Sequence, residues 1–187
     1  MKKMIWLFGL PGSKKDEFFN GVLNSEQLKM LNVEDNSILL LSVPYDYNIK
    51  TTCARDALSR IDSLRTYIDK FLATDRDVII INGEYPDLNN DTHCALTKMV
   101  DYYPNMEKEI YYFTVSDIDE FYERMKKTEW FINKEDKYRF PKDWLKFVVP
   151  YYKEHLTSYI NKGYTYHEID TLSNYKEKTK ILKKEIK

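Results

Sequence analysis

The chain opens on an apolar run, Met4-Ile-Trp-Leu-Phe-Gly-Leu10, and similar runs recur at 38–43, 78–81 and 110–115, each followed by polar or turn-forming residues. Runs this short predict strands, and the unbroken Val78-Ile-Ile-Ile81 predicts one buried on both faces, as in the middle of a parallel sheet. Tyr164 to Asp170 supplies a fifth strand. Between these runs the apolar residues fall at helical spacing. Phe18, Phe19, Val22 and Leu23 share one face, and Ala95, Leu96, Met99 and Val100 share another. The clearest stripe is Ala54, Ala57, Leu58, Ile61, Leu64, Ile68, Phe71 and Leu72, with Thr51 or Thr52 as its N-cap. Ser116-x-x-Asp119 resembles a capping box opening a helix that carries Phe121, Tyr122 and Met125 inward. From Arg124 to Arg139 the periodicity dissolves into a charged segment. Pro141 fits the first turn of a helix whose apolar side is Trp144, Leu145, Val148, Tyr152, Leu156 and Tyr159, and Pro150 should kink it.

Strands and helices alternating with short connections predict a three-layer α/β/α fold around a mostly parallel sheet of about five strands. One domain spans 1–172. The remainder, 173–187, is mostly Lys and Glu and reads as a solvated helix or frayed end, a partner-binding arm being the sharper alternative.

With 187 residues, 43% of them apolar, the chain can bury one good core and has no room for a second full domain. A net charge of −1 does not support nucleic-acid binding through a basic surface, so such a partner would have to be met at a local patch. Two cysteines, Cys53 and Cys94, are too few for a disulfide framework, and the segment after Lys2-Lys3 lacks the length and cleavage site of a signal peptide. The expectation is a reduced cytoplasmic protein without a membrane partner. Five glycines against sixteen tyrosines, with abundant Lys and Asn, read as codon bias of an AT-rich genome. His93-Cys94 and Cys53 lack CxxC or HxxxH spacing and are better read as buried helix residues than as metal ligands. The tyrosine pairs at 102–103, 111–112 and 151–152 can stack on bases, but aromatics on strands and amphipathic helices more often fill the core.

Chemistry concentrates directly after the first strand, at Gly9-Leu-Pro-Gly-Ser-Lys-Lys-Asp16. In the phosphate-binding pattern GxxxxGK[ST], a glycine-rich turn aims backbone N–H groups at phosphates. A Lys reaches the β- and γ-phosphates, and a Ser or Thr hydroxyl holds Mg²⁺. Aligned on Gly9, Lys15 falls on the motif lysine, Lys14 replaces the second glycine and Asp16 replaces the hydroxyl. Gly9, Pro11, Gly12, Ser13, Lys14 and Lys15 are the candidate phosphate contacts.

The elements around this loop come in a telling order. An Asp46-bearing loop follows the second strand, a polar turn ends the third, and the fourth leads to an Arg-bearing helix, a charged segment and a Pro-led helix. The whole is similar to the kinase domain of phage-type polynucleotide kinases, within the P-loop kinase superfamily. The best local matches are Gly9-Leu-Pro-Gly-Ser13, Val78-Ile-Ile-Ile-Asn82 and Arg139-Phe-Pro-Lys-Asp-Trp-Leu145. The resemblance implies a kinase-like domain with a lid at about 124–140. It also implies transfer of the γ-phosphate of ATP or GTP, with Mg²⁺, to a nucleoside, a nucleotide or a polynucleotide 5′-hydroxyl. Carried over by residue, Lys15 is the phosphate lysine, Asp46 the general base, Arg124 the lid cation, and Arg139 a second cation at the phosphates. Such transfer needs positioning, metal and neutralising cations more than covalent help.

Departures fall at Lys14, at Asp16 and at Asn82, where P-loop enzymes commonly carry a metal-linked acid. An Asp near 4 Å from a phosphate charge opposes binding by roughly 1 kcal/mol in water-like surroundings and about 4 kcal/mol in a partly shielded site. A metal bridging Asp16 to the phosphates, with Glu84 standing in for the lost acid, reverses that sign. Two classes follow: a rewired kinase, or a catalytically inactive degenerate P-loop protein that binds a nucleotide or a protein partner, in regulation or phage host interference.

Overall fold

A computed structural model of the chain describes residues 1–10, 12–20, 25–31, 33, 38–42, 54–83, 90–133, 141–171 and 180–182. Its elements, in order, are β1 (Lys3–Gly9), α1 (Lys15–Asn20), α2 (Ser25–Met30), β2 (Ile38–Ser42), α3 (Ala54–Leu72), β3 (Val78–Asn82) and α4 (Asn90–Tyr102). There follow β4 (Glu107–Thr114), α5 (Ile118–Met125), α6 (Glu129–Ile132), α7 (Lys142–Thr157), β5 (Thr165–Asp170) and β6 (Lys180–Leu182).

Among the described residues the strands form one six-stranded sheet in the order β2-β3-β1-β4-β5-β6. β1 to β5 are mutually parallel and β6 runs antiparallel to β5. The five parallel strands are those that the hydrophobic runs predict. β3 lies between β2 and β1, and Val78 to Ile81 are all buried, as an uninterrupted apolar strand requires. The sixth strand differs from the helix or frayed end expected of the tail. Lys180–Leu182 pair with Glu168–Tyr166 along the edge of β5, and the connection from Asp170 is shorter than the dozen or so residues of a parallel crossover, which leaves an antiparallel return.

Alternation along the strands divides the core into two layers. Met4, Trp6, Phe8, Ile79, Ile81, Ile110 and Tyr112 face one side, where Ile61, Ile68 and Phe71 of α3, Leu96 and Met99 of α4, Phe121 of α5 and Leu145, Tyr152 and Leu156 of α7 cover them. Ile5, Leu7, Ile80, Tyr111 and Phe113 face the other, against Phe18 and Phe19 of α1 and partly buried Leu28 and Met30 of α2. Helices on both faces make this a three-layer α/β/α fold.

Local signals hold with small shifts. The side chain capping α5 is Asp117, whose Oδ1 accepts from Glu120 N at 2.9 Å, so the cap lies one residue beyond the expected Ser116. Pro141 is the N-cap of α7 and not a first-turn residue, and the helix continues through Pro150. The charged stretch after Arg124 holds the single-turn helix α6, capped by Thr128. Leu72 closes the α3 stripe in sequence but is exposed.

Candidate functional site

Register sets the height of each strand end. Leu7 pairs with Asn82 and Gly9 pairs with Phe113, so Phe8 and Gly9 run past the end of β3 before the loop begins. A side chain from the far side of that loop can therefore reach back onto the end of β3. Lys15 does so: its Nζ donates to Asn82 Oδ1 at 2.7 Å and to the Gly83 carbonyl at 2.6 Å, and stands 3.2 Å from Asp16 Oδ1. Asn82 Nδ2 donates to the same Asp16 oxygen at 3.2 Å. The three side chains close a ring around a buried ammonium. Asn82 can serve both partners in one orientation alone, amide oxygen toward Lys15 and amide nitrogen toward Asp16.

Two left-handed residues shape the loop. The Ser13 N–H donates to the Leu10 carbonyl at 2.9 Å, closing a turn in which Gly12 has φ +80°. Lys14 has φ +61°, the left-handed region, at the position where the motif carries its second glycine. A lysine here adopts a backbone region that glycine favours. The Lys14 carbonyl then accepts from Phe18 N at 2.9 Å to begin α1, and Phe18 packs edge-on against Phe113 at 5.1 Å. Gly9 is required by close approach, since a Cβ there would lie 2.4 Å from Ser13 Oγ and 3.0 Å from Phe113 Cβ. Ser13 Oγ is itself buried and makes no hydrogen bond among the described residues.

The last turn of α5 braces this loop. Arg124 donates through Nη2 to the Gly12 carbonyl at 3.3 Å, and through Nη1 to the carbonyl of Thr171, just past β5, at 3.0 Å. Its Nη2 also lies 3.3 Å from Thr171 Oγ1. Arg124 thus joins the loop after β1 to the exit of β5. The carboxyl ends of parallel strands, where open α/β sheets place their ligands, converge here.

Of the expected site residues, Gly9, Gly12, Ser13, Lys14, Lys15, Asp16 and Arg124 are gathered in this one region. Pro11, Asp46, Glu84 and Arg139 lie outside the described residues. The Gly83 carbonyl and Thr171 were not expected; carbonyl acceptors leave no mark in a sequence. Among the described residues no group of three or more His, Cys, Asp or Glu is arranged for a metal. Cys53 and the side chains of His93 and Cys94 lie outside what is described.

A second charged cluster occupies the amino-terminal end of the sheet. Glu109 lies 2.8 Å from Lys3 Nζ and 3.1 Å from His167 Nε2, and the His167 ring stacks on Tyr111 at 4.0 Å. Burial alone would push the Glu109 carboxyl up, but the contacts with His167 and Lys3 outweigh it and hold the carboxyl below its ordinary value.

Among the described residues no helix is long and apolar enough to cross a membrane. No family model matches the chain, and no curated protein matches it. Two solved structures are similar in backbone course. The YGR205w protein shares 15% identity at a TM-score of 0.45, over 98% of this chain and 91% of that one. APE1195 shares 16% identity at a TM-score of 0.40, over 82% of this chain and 96% of that one. Likeness at this level carries no functional weight; it is the parallel sheet, with its first strand delivering a left-handed loop and a buried lysine onto the end of β3, that fits a P-loop-like α/β fold.

Proposed function

We infer that the protein binds the phosphate chain of ATP or GTP at residues 9–16 and transfers the γ-phosphate to a nucleoside, a nucleotide or a polynucleotide 5′-hydroxyl. The observation that carries this reading is the placement of the Lys15 ammonium at the carboxyl end of β3, beneath a loop holding left-handed turns at Gly12 and Lys14. Such turns direct successive N–H groups to one side of the chain, the concave arrangement that accepts phosphate oxygens. Arg124 donates to the Gly12 carbonyl and so braces the loop from the last turn of α5. Preorganised donors of this kind are what phosphoryl transfer asks of a protein.

Among the described residues, one carboxylate at this site would be available to Mg²⁺. Asp16 is a hard oxygen ligand, 66% exposed, and its two described contacts both fall on Oδ1. Mg²⁺ is commonly held by one or two carboxylates with the remaining positions taken by phosphates and water. When bound, the ion neutralises charge on the β- and γ-phosphates. Asp16 would hold it, and Lys15 would carry the phosphate oxygens.

One observation favours a second reading, nucleotide binding without turnover. Lys15 is already paired with Asp16, which neutralises the cation that the phosphates need. Radiolabelled γ-phosphate transfer from ATP and GTP, tried over nucleosides, nucleotides and 5′-hydroxyl DNA and RNA, separates the two. Transfer to any acceptor supports the kinase; nucleotide binding without transfer to any of them supports the binding module.

A further inference from the structure

α7 buries Leu145, Val148, Val149, Tyr152 and Leu156 and turns its opposite side to solvent. That outer side of an amphipathic helix is expected to be polar. Here it carries an aromatic ladder. Phe147 and Tyr151, 59% and 38% exposed, lie one turn apart with ring centroids 5.7 Å apart, and Tyr151 stacks in turn on the partly buried His155 at 6.4 Å with the planes 7° apart. The His155 ring meets the buried Tyr159 edge-on at 5.6 Å, which anchors the ladder to the core. Exposed aromatics scattered singly need no partner, whereas side chains already stacked and anchored lose little freedom when one covers them.

The charges beside the ladder select the partner. A nucleic-acid strand stacked on these rings would need cations for its phosphates. Lys146, however, lies 3.2 Å from Asp143, Lys153 lies 2.9 Å from Glu168, and Glu154 adds another exposed carboxylate to the outer face. Lys146 and Glu154 stand four positions on either side of Pro150. Two α7 helices crossing antiparallel about an axis at Pro150 therefore bring Lys146 of each copy opposite Glu154 of the other. With a rise of about 1.5 Å per residue, the same axis sets Phe147 of each copy at a height between Tyr151 and His155 of the other. The face is thus complementary to itself in ring spacing and in charge, which is what an isologous dimer requires.

We propose that the outer face of α7 is a homodimer interface. Two copies of the chain pack antiparallel about Pro150, Phe147 of one seated between Tyr151 and His155 of the other, with Lys146 paired to Glu154 across the axis. The interface uses none of the residues of the candidate nucleotide site, so dimer and site are tested separately.

Sedimentation equilibrium on the full chain, from about 1 μM to about 1 mM, is the test. The unmutated protein is expected to pass from monomer to dimer within that range. Lys146→Glu or Glu154→Lys alone sets like charges across both symmetric contacts and is expected to weaken the dimer about tenfold. The double variant, which exchanges the two charges, is expected to recover most of that loss, and an equal mixture of the two single variants to associate more tightly than either alone. Phe147→Ser is expected to stay monomeric with an unchanged circular dichroism spectrum; should it not fold, the charge exchange decides alone. An unmutated chain that is monomeric throughout overturns the proposal, and binding of a fluorescent oligothymidine that Phe147→Ser abolishes would then assign the ladder to nucleic acid. A dimer indifferent to both charge reversals, or a double variant no tighter than the single ones, overturns it equally.

Discussion

Asn82 accepts the Lys15 ammonium at 2.7 Å across 67 positions of sequence. This contact joins the loop after β1 to the end of β3, and with the buried Gly83 carbonyl it makes Lys15 a structural cross-link as well as a candidate phosphate ligand.

Lys15→Met retains the apolar stem and removes the charge, leaving the Gly83 carbonyl without its donor. An orphaned buried acceptor costs about 1–3 kcal/mol, so the urea midpoint is expected to fall accordingly while the fold persists. Nucleotide binding measured calorimetrically on the same variant is expected to vanish. A variant that loses binding at unchanged stability would show that the contact with Gly83 contributes nothing to the fold.

Lys14→Gly addresses the left-handed backbone. A side chain in this region costs about 1–2 kcal/mol, and glycine gives back about 0.5–1 kcal/mol through its more flexible unfolded chain. A net gain of about 0.5–1 kcal/mol is expected in thermal unfolding. Destabilisation would mean that the Lys14 side chain makes compensating contacts.

Gly9→Ala forces a Cβ into the 2.4 Å approach of Ser13 Oγ. Overpacking of this kind typically costs about 1–3 kcal/mol. Adding Ser13→Gly removes the nearest obstacle and should restore part of the loss, the 3.0 Å approach to Phe113 Cβ remaining. A double variant no more stable than Gly9→Ala alone, by urea denaturation, would place the strain at Phe113.

The Glu109 cluster predicts a pH dependence. Its carboxyl is held below the ordinary value when folded, so the unfolded chain takes up the proton first. The contacts of this carboxylate therefore stabilise the fold above its unfolded value, about 4.3, and this contribution is lost as pH falls through the lower folded value. Glu109→Gln imitates the protonated form. Urea midpoints for the two proteins should differ at about pH 6 and converge by about pH 3. A constant gap would assign the effect to packing.

Much of the fold is legible in the hydrophobic pattern because burial on two faces leaves a strand little freedom. Val78–Ile81 announces a central strand, and the stripe from Ile61 to Phe71 announces the helix that covers it. The sixth strand is not legible. Lys180-Ile181-Leu182 has no strand pattern of its own and is recruited by the backbone hydrogen-bonding groups at the open edge of β5. Lys15, Asp16 and Arg124 could be named from the motif and the element order, but their partners could not. Asn82 and Asp16 meet because Leu7 pairs with Asn82, a register that no local sequence feature states. Gly12 and Thr171 meet Arg124 through carbonyls, which every residue carries alike.

The left-handed Lys14 bears on how such loops are found. A search written in glycines passes over this chain, because at that position a lysine carries the positive φ that glycine adopts freely. Since left-handed residues set the direction of the backbone N–H groups, the property to search for is a sign pattern of φ angles: positive at the third and fifth positions after a glycine that closes a parallel strand. Loops scored in that way would be grouped by the shape they offer an anion, whichever side chains tolerate the strain.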